Sequence, residues 1–295
     1  MKRLIVNADD FGLTAGVNRA VVELNRHKTL TSATLMARAS ATEEAVSLAL
    51  TNQTLGVGCH VVLVDGESVL RPRNDLVWLV DPVRTVGRFE PTLGKFIKLL
   101  YPLRPLPFSL GRKHLDEEIE AEATAQIAAL QNWGLRLTHI DTHKHTHMFP
   151  RVLRPVLLAA RSAGIRNVRN PFEPSWSRDA TPRAPWLRRA QVRLLHTMEK
   201  TFRRIVAEEG FTTTDGSIGV LATGTLDQKT LASLLQAMPD GTWELVTHPG
   251  YNDSSLAQAG TRLLASRETE LAALTNVQFP SDIELIRFSD LAAGP

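Results

Sequence analysis

Residues 135–148 read LRLTHIDTHKHTHM. An apolar opening gives way to alternating polar side chains: His139, Asp141, His143, His145 and His147. In a β-strand successive side chains point to opposite faces, so a chain that stays extended projects all five from one side. A packed core has no need of four imidazoles and a carboxylate at one spot, whereas a divalent metal site does. The stretch is therefore expected to be a strand, Leu135–Ile140, that delivers a polar cluster at its end.

Similar apolar runs recur on either side. Leu4–Val6 reads as a buried parallel strand, and further strands are expected around Ala33–Met36, at Leu55–Leu63, and at 165–169, 217–221, 243–247 and 283–288. Helical patterns lie between them. Val17, Ala20, Val21 and Leu24 mark a helix from Ala15 to about Arg26. A second helix is expected to take Thr42 as its N-cap, with Glu43 and Glu44 in the first turn. Residues 113–132 form a third, stopped by Gly134, and Arg151–Ser162 a fourth, ended by Gly164. Repeated β-α alternation predicts an α/β fold with parallel strands and outer helices. Seven or eight strands suit an irregular (β/α) TIM-like barrel, with a doubly wound open sheet as the alternative.

The 295 residues are expected to form a single domain, 1–295, with insertions near 65–112 and 170–186. Both insertions are rich in proline (Pro72, Pro82, Pro105, Pro107; Pro182, Pro185) and aromatics (Trp78, Phe89, Phe96, Tyr101, Phe108; Trp176, Trp186). These aromatics either stack on a sugar or pack on the barrel. Hydrophobic residues make up 43% of the chain, enough for a sizeable core. The formal net charge of +3 gives no indication of nucleic-acid binding. Cys59 is the one cysteine, so no intrachain disulfide can form. MKRLIVNADDFG is too short in its apolar part for a secretion signal, and no stretch approaches a membrane span. A cytoplasmic enzyme is the expectation, with a homo-oligomer left open.

In parallel α/β folds active sites collect at the C-terminal ends of strands. Asp9 and Asp10 close the first strand, His60 lies late in the third, Asp141 and His143 close the fourth, and His248 follows WELVT. Four separate strand ends thus each deliver a ligand or acid–base residue. One Asp and two His with open positions for water describe a catalytic divalent site, with zinc or magnesium as the ion. Adjacent Asp9 and Asp10 cannot face the same way on a regular strand, so one is free to ligate while the other serves as base. Cys59 alternates with His60 and is expected in the core. HExxH, GxxxxGK[ST] and GxSxG motifs are absent.

IVNADDFGLTAGVNRAVVE, GVGCHVVLVDGESVL, LTHIDTHKHTHMFP and ELVTHPGY resemble, in order, segments of the YdjC-like (ChbG/HpnK) carbohydrate deacetylases. The resemblance runs from about residue 2 to 252. It implies an irregular (β/α) barrel and metal-dependent hydrolysis of an N-acetyl group on an N-acetylglucosamine-type sugar, releasing acetate. It implies Asp10, His60 and His143 as metal ligands, Asp9 as general base and His248 as general acid. Asp141, His145 and His147 would orient those ligands or meet the sugar. Lys144 departs from the family, which often has His there. Because strand alternation turns Lys144 away, the departure leaves the site unaffected.

Two substrate branches fit the resemblance, a chito-oligosaccharide and a hopanoid-linked glycolipid; HVVLVDGESVL is closer to the hopanoid-associated branch. Residues 183–205 intersperse seven Lys/Arg with apolar residues at roughly helical spacing. This is either a barrel helix with a solvated basic face or a helix that lies on the inner membrane face. A non-catalytic carbohydrate- or metal-binding protein, or a metal-dependent phosphoesterase, uses the same ligand types. The lack of an Arg cluster near the ligand motifs speaks against the phosphoesterase.

Overall fold

Strand β1 (Lys2–Phe11) is the axis of the sheet, and every residue from Leu4 to Phe11 is buried. Burial on both faces explains its continuous apolar opening. The computed structural model describes residues 1–70, 76–80, 87–102, 109–181, 184 and 186–291. Strands β2 (Ser32–Leu35), β3 (Gly56–Val61), β4 (Ile140–Thr142), β5 (Gly216–Ile218), β6 (Gly241–Thr247) and β7 (Ile283–Leu285) complete a seven-stranded sheet. The order is β4-β3-β2-β1-β6-β5, with β7 beside the start of β1, and all pairings are parallel. Asn167 and Val168 bridge to Thr212 and Ile140, respectively, so this segment lies between the β4 and β5 edges. The sheet curls into the irregular (β/α)-barrel type of α/β fold, with helices outside.

The helix over Ala15–Arg26 forms where its spacing predicts, and Val17, Ala20, Val21 and Leu24 are all buried. Thr14 caps it, its hydroxyl accepting from Val17 N. The helix Thr42–Thr51 departs from expectation, because Ala41 is its N-cap. The Thr42 hydroxyl instead accepts from Ala39 N and donates to Met36 O, which ties the preceding turn. The helix predicted over 113–132 starts earlier, spanning Ser109–Asn132. It ends as predicted beside Gly134, whose φ of +90° is open to glycine at little cost. The fourth helix is Pro150–Ser162.

Three strand expectations need correction. Residues 135–139 are not a regular strand; β4 begins only at Ile140. Residues 165–169 pair only through single bridges. The extended form of 139–147 does not persist either: a 3₁₀ helix covers His143–Met148, with Lys144 and His145 at left-handed φ of 55° and 53°.

The first insertion is held by carboxylates of the Ser109–Asn132 helix. Glu118 accepts from the backbone N–H groups of Val77, Trp78 and Leu79, and Glu122 from those of Val69 and Leu70. Phe89 and Phe96 are core residues, whereas Trp78 and Tyr101 reach the surface. Trp176 packs edge-on against Trp243. Pro72, Pro82, Pro105, Pro107, Phe108, Pro182, Arg183 and Pro185 lie outside the described residues. The basic stretch is broken into helices Trp186–Leu195 and Glu199–Glu208 around a 3₁₀ turn at His196–Met198. Phe202 and Ile205 are buried, and Arg203 and Arg204 pair with Glu199 and Glu208. Arg188 donates to Val220 O and Thr223 O. Among the described residues no helix is long and apolar enough to cross a membrane. Cys59 is buried as expected, and burial pushes its thiol far above the ordinary range.

Candidate metal centre

The C-terminal end of β1 is irregular. Ala8 pairs with Ala33 and Phe11 with Leu35, so β1 carries one extra residue over that interval. This is a β-bulge, and Asp10 sits in it at φ 64°. The bulge overturns the expectation that Asp9 and Asp10 face opposite ways. Both carboxylates turn toward His60, which β3 delivers from the neighbouring side of β2.

Three donor atoms form a small triangle. His60 Nε2 lies 3.2 Å from His143 Nδ1 and 3.5 Å from Asp10 Oδ1, and His143 Nδ1 lies 3.4 Å from that oxygen. A cation held tetrahedrally at about 2.0–2.1 Å spaces its donors by about 3.3 Å. Asp10 Oδ1 is buried without a hydrogen-bond partner, which is costly unless a cation takes it up. Behind the triangle, Asp141 Oδ1 lies 2.7 Å from His60 Nδ1. A carboxylate there keeps the ring proton on Nδ1 and leaves the Nε2 lone pair for a metal. The residues therefore fit a divalent ion.

Two buried arginines complete the site, and sequence reading did not place them there. Arg169 donates two bonds to Asp9, at 2.6 and 2.9 Å, and one from Nε to Glu244 at 2.7 Å; it also pairs with Asp141. Arg267 donates to Asp10 Oδ2 at 2.5 Å. Both are fully buried. The expected lack of arginine near the ligands is thus corrected, although each guanidinium already bonds a carboxylate. Arg169 also accounts for a second ligand-like group, Asp9, His60 and Asp141, whose donor atoms lie within 4.8 Å of one another. A guanidinium already occupies the carboxylates there. A sequence signal did exist: Glu244 interrupts an apolar strand, and Arg267 and Glu270 lie on the buried stripe of helix Ala265–Thr275 beside Leu271 and Leu274.

The electrostatics favour a cation. Among the described residues, the three carboxylates Asp9, Asp10 and Asp141, with Glu244 behind them, face two guanidinium groups, Arg169 and Arg267. Burial disfavours a charged His60, yet Asp141, Asp9 and Asp10 outweigh it and raise its pKa to about 9. Burial works to raise the Asp9 and Asp10 carboxyls, but Arg169 on Asp9, and Arg267 with His143 on Asp10, hold them well below the usual carboxylate range. Glu244 is pushed up to about 7 by burial, which outweighs Arg169.

The remaining histidines separate. His248 follows β6; its Nε2 is 3.7 Å from Asp9 Oδ2, and its backbone N donates to Glu270 at 2.6 Å. His147 has both ring nitrogens engaged, Nδ1 with Thr142 Oγ1 and Nε2 with Arg169 O. His145 has a buried Nδ1 without a partner, and burial followed by Arg169 lowers its pKa to about 3. His139 lies away from the triangle, stacked on Phe288 with centroids 3.8 Å apart. Lys144 pairs with Asp65 at 2.6 Å, outside the triangle.

The sequence profile of the family described as YdjC-like protein matches residues 3–285. A carbohydrate deacetylase of Brevibacillus brevis is 33% identical over 299 residues, covering 98% of this chain and 99% of the relative. A carbohydrate deacetylase of Geobacillus stearothermophilus is 34% identical over 275 residues, covering 92% of this chain and 89% of the relative. The crystal structure of an Enterococcus faecalis V583 protein proposed for cellobiose-phosphate cleavage shares the fold, with a TM-score of 0.71 at 23% identity over 97% of each chain. The family match covers all three residues of the donor triangle, and this chain belongs to the YdjC-like family.

Proposed function

We propose that residues 1–295 act as one (β/α)-barrel domain that removes the N-acetyl group from an N-acetylglucosamine-type sugar by metal-dependent hydrolysis. The observation that carries this is the triangle of Asp10 Oδ1, His60 Nε2 and His143 Nδ1, with Asp9 and His248 beside it. The names of the relatives support the substrate class. A divalent ion in the triangle, zinc or magnesium, would supply Lewis-acid polarisation of the acetyl carbonyl and activation of water.

The chain's own groups supply the proton transfers. Asp9, held on both oxygens by Arg169, takes the proton of the attacking water. His248 Nε2, 3.7 Å from Asp9 Oδ2, donates to the departing amine. Asp141 orients His60, and His145, whose buried Nδ1 has no partner, supports the site.

On this reading the enzyme works in the cytoplasm. The glycolipid form of the substrate has one specific support: Trp186 and Leu194 are 74% and 69% exposed on one helix, beside Arg193. Such a face suits the inner surface of an anionic membrane. Acetate release should be measured on chitobiose and on an N-acetylglucosaminyl lipid, with and without chelator. Release that stops on chelation and returns with zinc or magnesium is the expected result. Absence of acetate from every substrate, with sugar binding intact, would establish the non-catalytic alternative. Release from chitobiose without binding to anionic vesicles would remove the membrane contact.

A further inference from the structure

We infer that Arg267 is a positioning residue that keeps Asp10 a one-oxygen ligand; the inference rests on the metal reading above. The Asp10 carboxylate is split in use. Oδ1 faces the two imidazole donors and has no hydrogen-bond partner, whereas Oδ2 accepts from Arg267 at 2.5 Å. A charge-assisted bond of that kind is among the stronger ones in a protein. For both oxygens to reach one ion, Oδ2 would have to be shared between the ion and Arg267, drawing a buried guanidinium against a dication. That state is strongly disfavoured.

Arg267 does not owe its place to Asp10 alone. It is fully buried, its Nε donates to Leu263 O at 3.2 Å, and its backbone carbonyl accepts from Gly250 N at 3.3 Å. A Cβ on Gly250 would meet the Arg267 Cδ at 3.1 Å, so the turn after His248 lies directly against this side chain. Three residues along the same helix, Glu270 accepts from His248 N. Helix Ala265–Thr275 thus reaches both the ligand Asp10 and the residue proposed as acid. Restricting Asp10 to one oxygen preserves the open positions that a catalytic ion needs for water and substrate. The two sides of the triangle are then tuned in opposite senses. Asp141 strengthens His60 as a donor, and Arg267 draws charge from Asp10.

The test uses cobalt(II) as a spectroscopic probe in the full chain, comparing wild type with Arg267→Met and Arg267→Lys. The wild type should show the intense visible absorption of a four- or five-coordinate ion. Arg267→Met should shift toward the weak absorption of a six-coordinate ion as Oδ2 is released, and Arg267→Lys should recover most of the wild-type spectrum. A role confined to fold stability would lower the melting temperature without altering the spectrum. Should Arg267→Met fail to fold, Arg267→Gln read in the same way replaces it. Unchanged spectra in every folded variant overturn the inference. A wild type that binds no cobalt, zinc or magnesium overturns the metal reading instead.

Discussion

Asp9 and Asp10 are consecutive, equally buried and each gripped by a buried arginine, yet their oxygens are used differently. Both oxygens of Asp9 are taken by Arg169, and Oδ1 also accepts from Asn7 and Thr34. Asp10 has one oxygen held by Arg267 and one that faces two imidazoles without a hydrogen-bond partner. A saturated carboxylate is poorly placed to bind an ion and well placed to be held rigid beside one. A half-satisfied carboxylate in a ring of imidazoles has a cation as its natural complement. Residue type does not separate the two roles; the number of protein donors on each oxygen does.

The largest effect should come from removing the cation that Asp9 shares with its neighbours. Arg169→Met leaves Asp9, Asp141 and Glu244 without their buried counter-charge. Breaking buried pairs of this kind costs about 3–5 kcal/mol, so chemical denaturation should show a loss at least that large. A loss below about 1 kcal/mol would mean that the network is open to solvent. Asp9→Asn should be milder for the fold and severe for catalysis. The acetate-release kcat should fall about 10²–10⁴-fold, as expected for loss of a general base, while metal content stays at the wild-type level. If metal were lost in parallel, Asp9 would be a ligand and the contrast with Asp10 would collapse.

Asp141→Asn sharpens the comparison from the imidazole side. Asp141 touches the triangle only through His60 Nδ1. Its loss should weaken zinc affinity by about 10–100-fold, the usual cost of losing a carboxylate behind a ligating histidine. Competition with a chromophoric chelator reads this directly, and an unchanged affinity would detach Asp141 from the site.

Much of this arrangement was visible in the sequence because it follows local rules. Apolar runs marked the strands, and the Ala15–Arg26 periodicity marked its helix to the residue. Strand ends pointed to Asp10, His60, His143 and His248 together. Several features were not local. The bulge at Asp10 inserts one residue without a Gly or Pro to announce it. HKHTHM keeps a strand-like alternation, yet it coils once β3 and the segment at Val168 have used up the pairing of β4. Arg169 and Arg267 reach the aspartates across separations of 160 and 257 residues. Spacing rules carry no information at that range; only a charge on an otherwise apolar stripe could have raised the question.

Glu244 is such a charge, and it gives the smallest predicted effect. It sits between Trp243 and Leu245 in β6, is fully buried, and accepts from Arg169 Nε. Burial raises its pKa to about 7, above the value of about 4.3 expected in the unfolded chain. The folded state therefore holds a proton there that the unfolded state has released. Glu244 helps the fold most below about pH 4, and that contribution is lost as the pH rises toward 7. Glu244→Gln keeps an acceptor for Arg169 and removes the titration. The gap in unfolding free energy between variant and wild type should move in favour of Gln as pH rises from 4.5 to 7, by on the order of 1 kcal/mol or more. Metal affinity should barely change, because Glu244 touches no member of the triangle. A pH-independent gap would show that Arg169 keeps Glu244 ionised throughout, and would place all of the site's charge deficit on the metal.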